Sequence, residues 1–337
     1  WTTQVTKMAK PGDLLMSVRA PVGPVNFTDN PVCIGRGLAA LRSSEKIHQH
    51  FLYYNILSRE HEISGSEGAV FPSINKTQIK SLVIAFPSTT EQERIVGVLD
   101  EAFEGIATAT AQAEKNLQNA RELFQSVLQS TFSQKGDDWV EGSLLDVVDK
   151  SCSLSYGIVQ PGKDFANGLP VIRPTDMKKK VVSLNGLKLI NPELAASYNR
   201  TTLKGGEILL CVRGSTGTIS IADQELVGAN VTRGIVPIRF DVEKINQPFG
   251  YYLLKSDHTQ SQIREKTYGA ALMQINIRDL KKLKIKYPNI ATQKTIVEKL
   301  DALSEETKRL ETIYQRKLDA LAELKQSLLQ RAFTGQL

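Results

Sequence analysis

The sequence contains little cysteine and no long apolar run. Its three cysteines, Cys33, Cys152 and Cys211, lie far apart and form no C-x-x-C pair, which indicates neither a disulfide framework nor a zinc site. No stretch reaches the roughly 20 apolar residues of a membrane-spanning helix, and the start lacks the basic and apolar regions of a signal peptide. We therefore expect a cytoplasmic protein whose 337 residues suffice for two domains.

Motifs of common enzyme sites are also missing. There is no G-x4-G-K-[ST] phosphate-binding loop, and residues 35–37 (G-R-G) do not extend to G-x-G-x-x-G. Residues 30–32 (N-P-V) and 191–193 (N-P-E) both lack the second proline that an adenine methyltransferase would carry. None of the four histidines has a partner at metal-ligand spacing. The sequence therefore predicts a binding protein without a catalytic or metal site.

The chain does contain one segment written twice. The motif P-x4-Q-x2-I-V-x2-L-D begins at Pro87 and again at Pro288, 201 residues later. Residues 11–15 likewise match residues 205–209. Further pairs in the same order are Arg19 with Arg213, Gly23 with Gly217, Arg36 with Arg233, Tyr53 with Tyr251, Tyr54 with Tyr252, Gln125 with Gln326 and Phe132 with Phe333. A duplication of this size indicates two copies of a domain plus a long helix, suited to reading two parts of one ligand.

The first copy is shorter at its start than the second. If the second copy begins near Asp137, the first lacks a counterpart to about 58 residues. The chain also begins with Trp1 rather than with methionine. We therefore expect the first domain to start partway through.

Two long segments carry apolar residues at helical spacing. In residues 91–132 a stripe runs from Ile95 to Thr131 in steps of three or four, and no proline interrupts it. A second stripe runs from Ile296 to Leu328. A helix of about 36 residues is roughly 54 Å long, too long to bury its stripe on one compact domain. The stripes therefore predict a coiled coil, antiparallel because the path through residues 135–138 is short.

The remaining sequence is typical of β-rich domains with a few short helices. Apolar runs at residues 208–212 and 218–221 are bounded by turn residues and predict strands. Residues 249–254 and 277–283 fit short helices better. The predicted fold class is α+β, with two α/β domains, two long antiparallel helices and a pseudo-twofold internal repeat. The predicted segments are 1–90 (first domain), 91–136 (first long helix), 137–290 (second domain) and 291–337 (second long helix).

The formal net charge is +6, and its distribution is uneven. The basic excess lies in residues 1–90 and 137–290, whereas residues 91–136 and 291–337 together carry −2. A polyanionic partner is therefore expected to contact the domains rather than the long helices. The alternative is that +6 is unremarkable for a chain of this length, and the charge taken alone favours this alternative.

The repeated layout and three segments resemble the specificity subunit of Type I restriction-modification systems. The segments are residues 156–162 (Y-G-I-V-Q-P-G), residues 168–173 (G-L-P-V-I-R) and the repeated P-x4-Q-x2-I-V-x2-L-D motif. The resemblance implies two target-recognition domains, each of which reads one half of a bipartite DNA sequence. It also implies that the two helices fix the spacer between the halves and that the subunit has no catalytic activity of its own.

The resemblance further implies partners. Two methyltransferase subunits would dock on this chain and use S-adenosylmethionine to methylate adenine at N6, and ATP-dependent restriction subunits would join a larger complex. No cofactor is expected on this chain, because S-adenosylmethionine, ATP and Mg are expected on the partner subunits. The other expected partner is double-stranded DNA, with no membrane.

Fifteen residues are candidates for DNA contact. Arginine and lysine suit phosphate, while arginine pairs with guanine and asparagine with adenine in the major groove. The candidates are Arg19, Arg36, Lys76, Arg173, Lys178, Lys179, Lys180, Arg213, Ser215, Thr216, Asn230, Thr232, Arg233, Gln274 and Asn276.

Several candidates have a structural alternative of comparable weight. Residues 213–217 (R-G-S-T-G) are explained about equally well as a plain β-turn with a solvated arginine. Asn276, like Asn75 in the first copy, is better explained as the cap of a short helix. Lysine runs such as residues 178–180 are usually just solvated. Two half-sites of different sequence should be read by residues that differ between the copies. An arginine present in both copies, such as Arg233, is therefore better explained by phosphate contact or by a structural role.

Two other classes of protein also fit the sequence. The clean apolar stripes also fit a coiled-coil scaffold that joins protein partners without recognising DNA. The abrupt start at Trp1 also fits the recognition part of a fused restriction-methylation enzyme, although the undisturbed C-terminal helix disfavours it.

Overall fold

The computed structural model describes residues 5, 7–60, 62–63, 73–133, 138–269 and 272–337. The chain divides into two compact units, of which unit 1 contains Trp1–Asn119 and Leu310–Leu337 and unit 2 contains Ala120–Arg309. The short path predicted at residues 135–138 lies outside the described residues except for Asp138. The domain boundaries predicted from the sequence stay predictions.

The described residues form both strands and helices. The strands are β1 (Met8–Ala9), β2 (Leu14–Val18), β3 (Val22–Phe27), β4 (Val32–Cys33), β5 (Leu38–Leu41), β6 (Val140–Ser143), β7 (Leu169–Ile172), β8 (Val181–Val182), β9 (Lys188–Ile190), β10 (Ile208–Cys211), β11 (Ile219–Ala222), β12 (Asn230–Val231), β13 (Ile235–Ile238) and β14 (Lys284–Tyr287). The α-helices are α1 (Gln49–Ser58), α2 (Lys76–Lys80), α3 (Thr89–Ser133), α4 (Leu144–Val147), α5 (Gln247–Lys255), α6 (Asp257–Glu265), α7 (Ile277–Lys281) and α8 (Ile290–Phe333). Short 3₁₀ turns lie at Pro174–Asp176, Pro192–Ala195, Asn199–Thr201 and Gln224–Leu226.

Unit 1 is built on a three-stranded antiparallel sheet in the order β3-β2-β5. Because side chains alternate between the faces of a strand, Leu14 and Met16 of β2 point to the same face, and both are fully buried. They pack in one apolar cluster with Leu52 and Ile56 of α1. Helix α1 therefore covers one face of this sheet.

Unit 2 contains a larger sheet in the order β13-β10-β11-β8 and a smaller one in the order β12-β7-β9. All four residues of β10 are buried, because both faces of this strand are covered. Ile208 and Leu210 pack in the cluster that includes Phe249 of α5. Leu209 and Cys211 belong to a separate cluster on the opposite face. The predicted strands at 208–212 and 218–221 are confirmed as β10 and β11.

The internal repeat is visible in the structure of each unit. In both units a central strand pairs antiparallel with two neighbours, β2 with β3 and β5, and β10 with β11 and β13. The helices α1 and α2 of unit 1 correspond in sequence to α5 and α7 of unit 2, and the two short helices predicted for the second domain are confirmed. The sequence duplication is thus a duplication of fold.

The two long helices contain 45 and 44 residues and contribute to both units. In unit 1 Leu99 near the start of α3 shares an apolar cluster with Leu329 near the end of α8. In unit 2 Leu128 near the end of α3 shares a cluster with Leu300 near the start of α8. Within each unit the helices therefore run antiparallel, as predicted.

In the described part of the chain, none of the helices combines the length and apolarity that a bilayer crossing requires.

The first copy of the repeated motif attaches its domain to α3 through Gln92. The side chain of Gln92 is completely buried. Its Oε1 accepts a hydrogen bond from the backbone N–H of His48 at 2.8 Å. Its Nε2 donates to the carbonyls of Lys46 and Pro87 at 3.0 and 2.9 Å. One glutamine therefore joins the segment before α1 to the first turn of α3.

The second copy repeats this arrangement in unit 2. The buried Gln293 accepts from the N–H of Asn246 at 2.8 Å. It donates to the carbonyls of Lys244 and Pro288, both at 2.8 Å. The segment before α5 is thereby fixed to the first turn of α8. The proline and glutamine of the motif are explained by these bonds.

The aspartate that ends each motif accepts a hydrogen bond from a tyrosine. Tyr54 Oη donates to Asp100 at 2.5 Å in unit 1, and Tyr252 Oη donates to Asp301 in unit 2. Burial, with the hydrogen bond and the negative charge of the aspartate, raises the pKa of both phenols. Both tyrosines therefore keep their proton at neutral pH and remain donors.

Matching buried carboxylates also support the two sheets. Asp13 of unit 1 forms an ion pair with Arg42 at 2.5 Å, and Glu207 of unit 2 forms one with Arg239 at 2.7 Å. Each carboxylate is about 1 to 2% exposed and also accepts from a backbone N–H three residues earlier. A buried charge needs such partners.

We expect the stability of unit 1 to fall as the solution is acidified below about pH 4. The hydrogen bond from Arg42 holds the pKa of the Asp13 carboxyl below its usual value, although burial partly offsets this effect. Because the unfolded chain binds the proton more tightly, the ionised carboxylate stabilises the fold above the unfolded pKa, and this contribution disappears as pH falls through the folded pKa. Thermal unfolding of Asp13→Asn between pH 2.5 and 6 should depend less on pH than wild type, whereas exposed Asp29→Asn should follow wild type.

Candidate nucleic-acid interface

The turn after β10 and the turn after β12 bring Arg213 and Arg233 to one pocket. Gly214 and Gly217 adopt positive φ angles of 84° and 93°, which suit glycine and allow the chain to turn tightly. Arg233 follows β12, which pairs in parallel with β7. Two segments that are separate in sequence thus place two arginines at one pocket.

Apolar residues form the walls of this pocket, which encloses about 290 Å³. The wall residues are Ile158, Val159, Pro161, Pro174 and Leu272. The segment at residues 156–162 reaches this position because Gly157 packs directly on the backbone of Val231, where an added Cβ would lie 1.9 Å from the carbonyl oxygen. A larger residue at 157 would push the wall away from the arginines.

The charge of this pocket is not balanced locally. Among the described residues, no carboxylate lines it, and Arg213 Nε is buried without a hydrogen-bond partner. Arg233 is exposed to solvent. A buried donor without a partner is unfavourable unless a ligand supplies an acceptor. The pair of guanidinium groups suits a phosphate oxygen or the O6 and N7 atoms of guanine.

Three other candidates near this pocket have partners inside the protein. Arg173 forms a bidentate ion pair with Asp176, with its shorter distance at 2.8 Å. Thr232 lines the pocket, and its hydroxyl donates to Ile172 O at 3.3 Å. Asn230 is about 1% exposed, and its amide bonds to Thr201 and to the Tyr198 carbonyl. The position of Asn230 therefore gives no support to its predicted pairing with adenine.

The remaining candidates of the turn region divide in the same way. Ser215 is exposed at the tip of the turn, whereas Thr216 donates to Met273 O at 3.1 Å. The backbone of Gln274 forms bridges with Arg213 and Tyr268, so this segment supports the turn. Asn276 caps α7 by accepting from Asp279 N at 2.8 Å. Its amide nitrogen is also used within the cap, at Asp279 Oδ2, as the capping alternative requires.

The lysine run does not behave as a unit. Lys178 and Lys179 are exposed. Lys180 instead donates to Asp301 at 2.8 Å and to Tyr252 Oη at 3.2 Å. Lys180 therefore attaches the run to the aspartate that ends the second repeated motif, and the predicted DNA contact is better placed on the other two lysines.

In unit 1 the candidates Arg36 and Lys76 line one groove of about 670 Å³. Lys7, Arg42 and Lys80 line the same groove and add three basic side chains, of which Arg42 is paired with Asp13. Arg19 is exposed outside this groove, where its backbone bridges Ser73 as Arg213 bridges Gln274 in unit 2. The first domain thus presents a basic groove, and Arg36 and Arg42 both line it.

Sequence reasoning missed the residues that shape these sites. Val159 and Pro161 carry a partial signal, since they belong to a segment selected for its family resemblance. Pro174, Leu272 and Lys255 carry none, because they belong to no motif or repeat that the sequence shows.

Known proteins are similar to this chain in sequence and in fold. Residues 4–119 and 136–318 match the family model described as the type I restriction modification DNA specificity domain. The EcoBI specificity subunit of Escherichia coli is 23% identical over 97% of this chain and 74% of that protein. The putative MjaX specificity subunit of Methanocaldococcus jannaschii is 33% identical over 38% of this chain and 30% of that protein.

Two solved structures have a similar fold. A chain from a study of complex assembly and conformational transition of the type I R-M system has a TM-score of 0.79 at 18% identity, covering 100% of this chain and 85% of that chain. The HsdS subunit from Thermoanaerobacter tengcongensis has a TM-score of 0.63 at 18% identity, covering 100% of this chain and 84% of that one. The matched family model spans most of both units, and this chain belongs to the type I restriction modification DNA specificity domain family.

Proposed function

We propose that this chain is the DNA-specificity subunit of a type I restriction-modification complex, and that it catalyses no reaction itself. Each unit reads one half of a bipartite target. The two long helices set the spacer between the halves and dock two methyltransferase subunits. Family membership and the duplicated fold support this proposal.

The observation that carries the DNA-reading role is the pocket shared by Arg213 and Arg233. The buried, unpartnered Nε of Arg213 needs an acceptor, and no described residue provides one. DNA offers acceptors both on its phosphates and on base edges. Val159, Pro161 and Leu272 add apolar surface beside the arginines, and DNA that covers them would lower the local dielectric and strengthen such hydrogen bonds.

The reaction chemistry belongs to the partners in this proposal. S-adenosylmethionine would be held by the methyltransferase subunits, which methylate adenine at N6, and ATP and Mg by restriction subunits in the larger complex. The described residues of this chain contribute target choice and positioning.

We expect Arg213→Ala and Arg233→Ala each to weaken specific DNA binding by about 1 to 3 kcal/mol, or roughly 5-fold to 150-fold. The reason is that each variant removes a guanidinium group that would donate hydrogen bonds to the DNA. The measurement is fluorescence anisotropy with the complex of this chain and its methyltransferase, on the target identified by methylome sequencing. Neither variant should change the melting temperature by more than a few degrees.

A matched control separates the pocket from general charge. Arg264→Ala removes an exposed arginine of unit 2 that pairs with Asp257 and lines no part of the pocket. Its affinity should match that of wild type. If both pocket variants bind DNA as tightly as wild type does, Arg213 and Arg233 do not belong to the interface. If the affinity for duplex DNA does not fall as salt rises, the coiled-coil scaffold is favoured instead.

A further inference from the structure

A second pocket of unit 2 is lined by four lysines. It encloses about 370 Å³, and its lysines are Lys178, Lys179, Lys180 and Lys255. Among the described residues, its lining includes no carboxylate. Lys180 is neutralised by Asp301 from outside the pocket. The pocket therefore holds more positive charge than its surroundings balance.

Lys255 is less exposed than Lys178 and Lys179 and lacks the carboxylate partner of Lys180. It is partly buried at the end of α5, and its nearest hydrogen-bond partner is Tyr251 Oη at 3.5 Å. No ion pair involves Lys255 in the part of the chain that the structure describes. The ammonium groups of Lys180 and Lys255 lie 5.3 and 5.4 Å from the centre of the same Tyr251 ring. Two cations thus lie near one aromatic side chain, and the carboxylate of Asp301 pairs with Lys180 only among the described residues.

The surroundings of Lys255 destabilise its charged form. Burial lowers the pKa of the Lys255 ammonium, and the positive charges of Lys180 and Lys308 lower it further. An anion in the pocket would reverse this effect by giving the ammonium a partner.

The walls of the pocket are fixed in place. Gln260 Nε2 donates to the Gly217 and Leu254 carbonyls at 3.0 and 2.8 Å. Gly217 has a positive φ of 93°, which favours glycine, and an added Cβ would lie 2.7 Å from Gln260 Oε1 and displace that side chain. The pocket is therefore preorganised by the same turn that carries Arg213.

We infer that this pocket binds a phosphate group, either free phosphate or one phosphate of a DNA backbone. Lysine ammonium groups are point-charge donors suited to phosphate oxygens. The site belongs to the second domain alone, because Leu57 occupies the position of Lys255 in the first copy. Leu57 packs in the apolar cluster beside Phe51 and Tyr54, so the fold accommodates leucine at this position.

Lys255→Leu tests the inference with the residue that the first copy already carries. Inorganic phosphate, added to the full chain at constant ionic strength, should raise the wild-type melting temperature and saturate, and it should bind the variant at least about 10-fold more weakly. Without phosphate, the variant should melt at or above the wild-type temperature, since an uncompensated lysine is removed. Lys299→Leu, which changes an exposed lysine of α8, should respond to phosphate as wild type does.

A second measurement distinguishes the two sources of phosphate. If a backbone phosphate occupies the pocket, the slope of log affinity against log salt for duplex DNA should shrink by about 1 in Lys255→Leu. If free phosphate is the ligand, the slope stays unchanged while the phosphate titration still separates the proteins. No stabilisation of wild type by phosphate together with an unchanged slope would overturn the inference. The phosphate titration contains no DNA, so it succeeds or fails independently of the DNA-reading role tested at Arg233.

Discussion

Replacing Gln293 with alanine is expected to lower the free energy of unfolding of unit 2 by about 2 to 4 kcal/mol. The variant removes three hydrogen bonds and leaves the N–H of Asn246 and the carbonyls of Lys244 and Pro288 without this partner. A buried backbone group that loses its partner costs about 1 to 3 kcal/mol, more than the net value of an ordinary hydrogen bond. Urea unfolding followed by Trp139 fluorescence provides the measurement, because Trp139 packs against Phe249 in the same unit.

Two variants control for this effect. Gln92→Ala makes the equivalent change in unit 1 and should also destabilise, since its three partners and distances are nearly the same. Gln315→Ala changes an exposed glutamine of α8 that bonds only to Asp319 among the described residues, and it should cost less than about 0.5 kcal/mol. If Gln293→Ala unfolds at the same urea concentration as Gln315→Ala, the motif does not hold the domain to its helix.

The regular parts of the fold were predictable from the sequence because their signals are local. The stripe at residues 91–132 predicted the helix observed at Thr89–Ser133, and the run at 208–212 predicted β10. The duplication predicted two equivalent domains without any knowledge of their structure. Helix α6 at Asp257–Glu265 was not predicted, since its residues are mostly polar and carry a weak apolar signal.

The site was only partly predictable because it depends on contacts between distant residues. Arg213 and Arg233 were selected individually, but their shared pocket needs walls from Val159, Pro174 and Leu272. Asn230 was selected for its chemistry, whereas burial against Thr201 decides its role. Sequence chemistry identifies which side chains can bind DNA, and only packing determines which of them face outward.

The buried glutamine of each repeated motif determines where its domain is attached to a long helix. Gln92 fixes the first domain to the start of α3, and Gln293 fixes the second to the start of α8. Each helix then continues into the other unit. The proposed spacer role therefore depends on the number of helical residues that follow each attachment point.

Inserting four residues into both long helices, after Thr110 in α3 and after Leu318 in α8, is expected to lengthen the preferred gap between half-sites by roughly two base pairs. Four residues add about 6 Å of helix and complete slightly more than one turn, so each apolar stripe continues on nearly the same face. Base pairs repeat every 3.4 Å or so along DNA. Methylome sequencing of a host that carries the variant system reads the new gap directly.

The same insertion in α3 alone provides the control for this experiment. It shifts the α3 stripe by one turn against α8, whereas Leu99 shares an apolar cluster with Leu329 and Leu128 shares one with Leu300. We expect one of these clusters to be disrupted and methylation to fail at every gap. A paired insertion that methylates the original gap would show that something other than helix length sets the spacer.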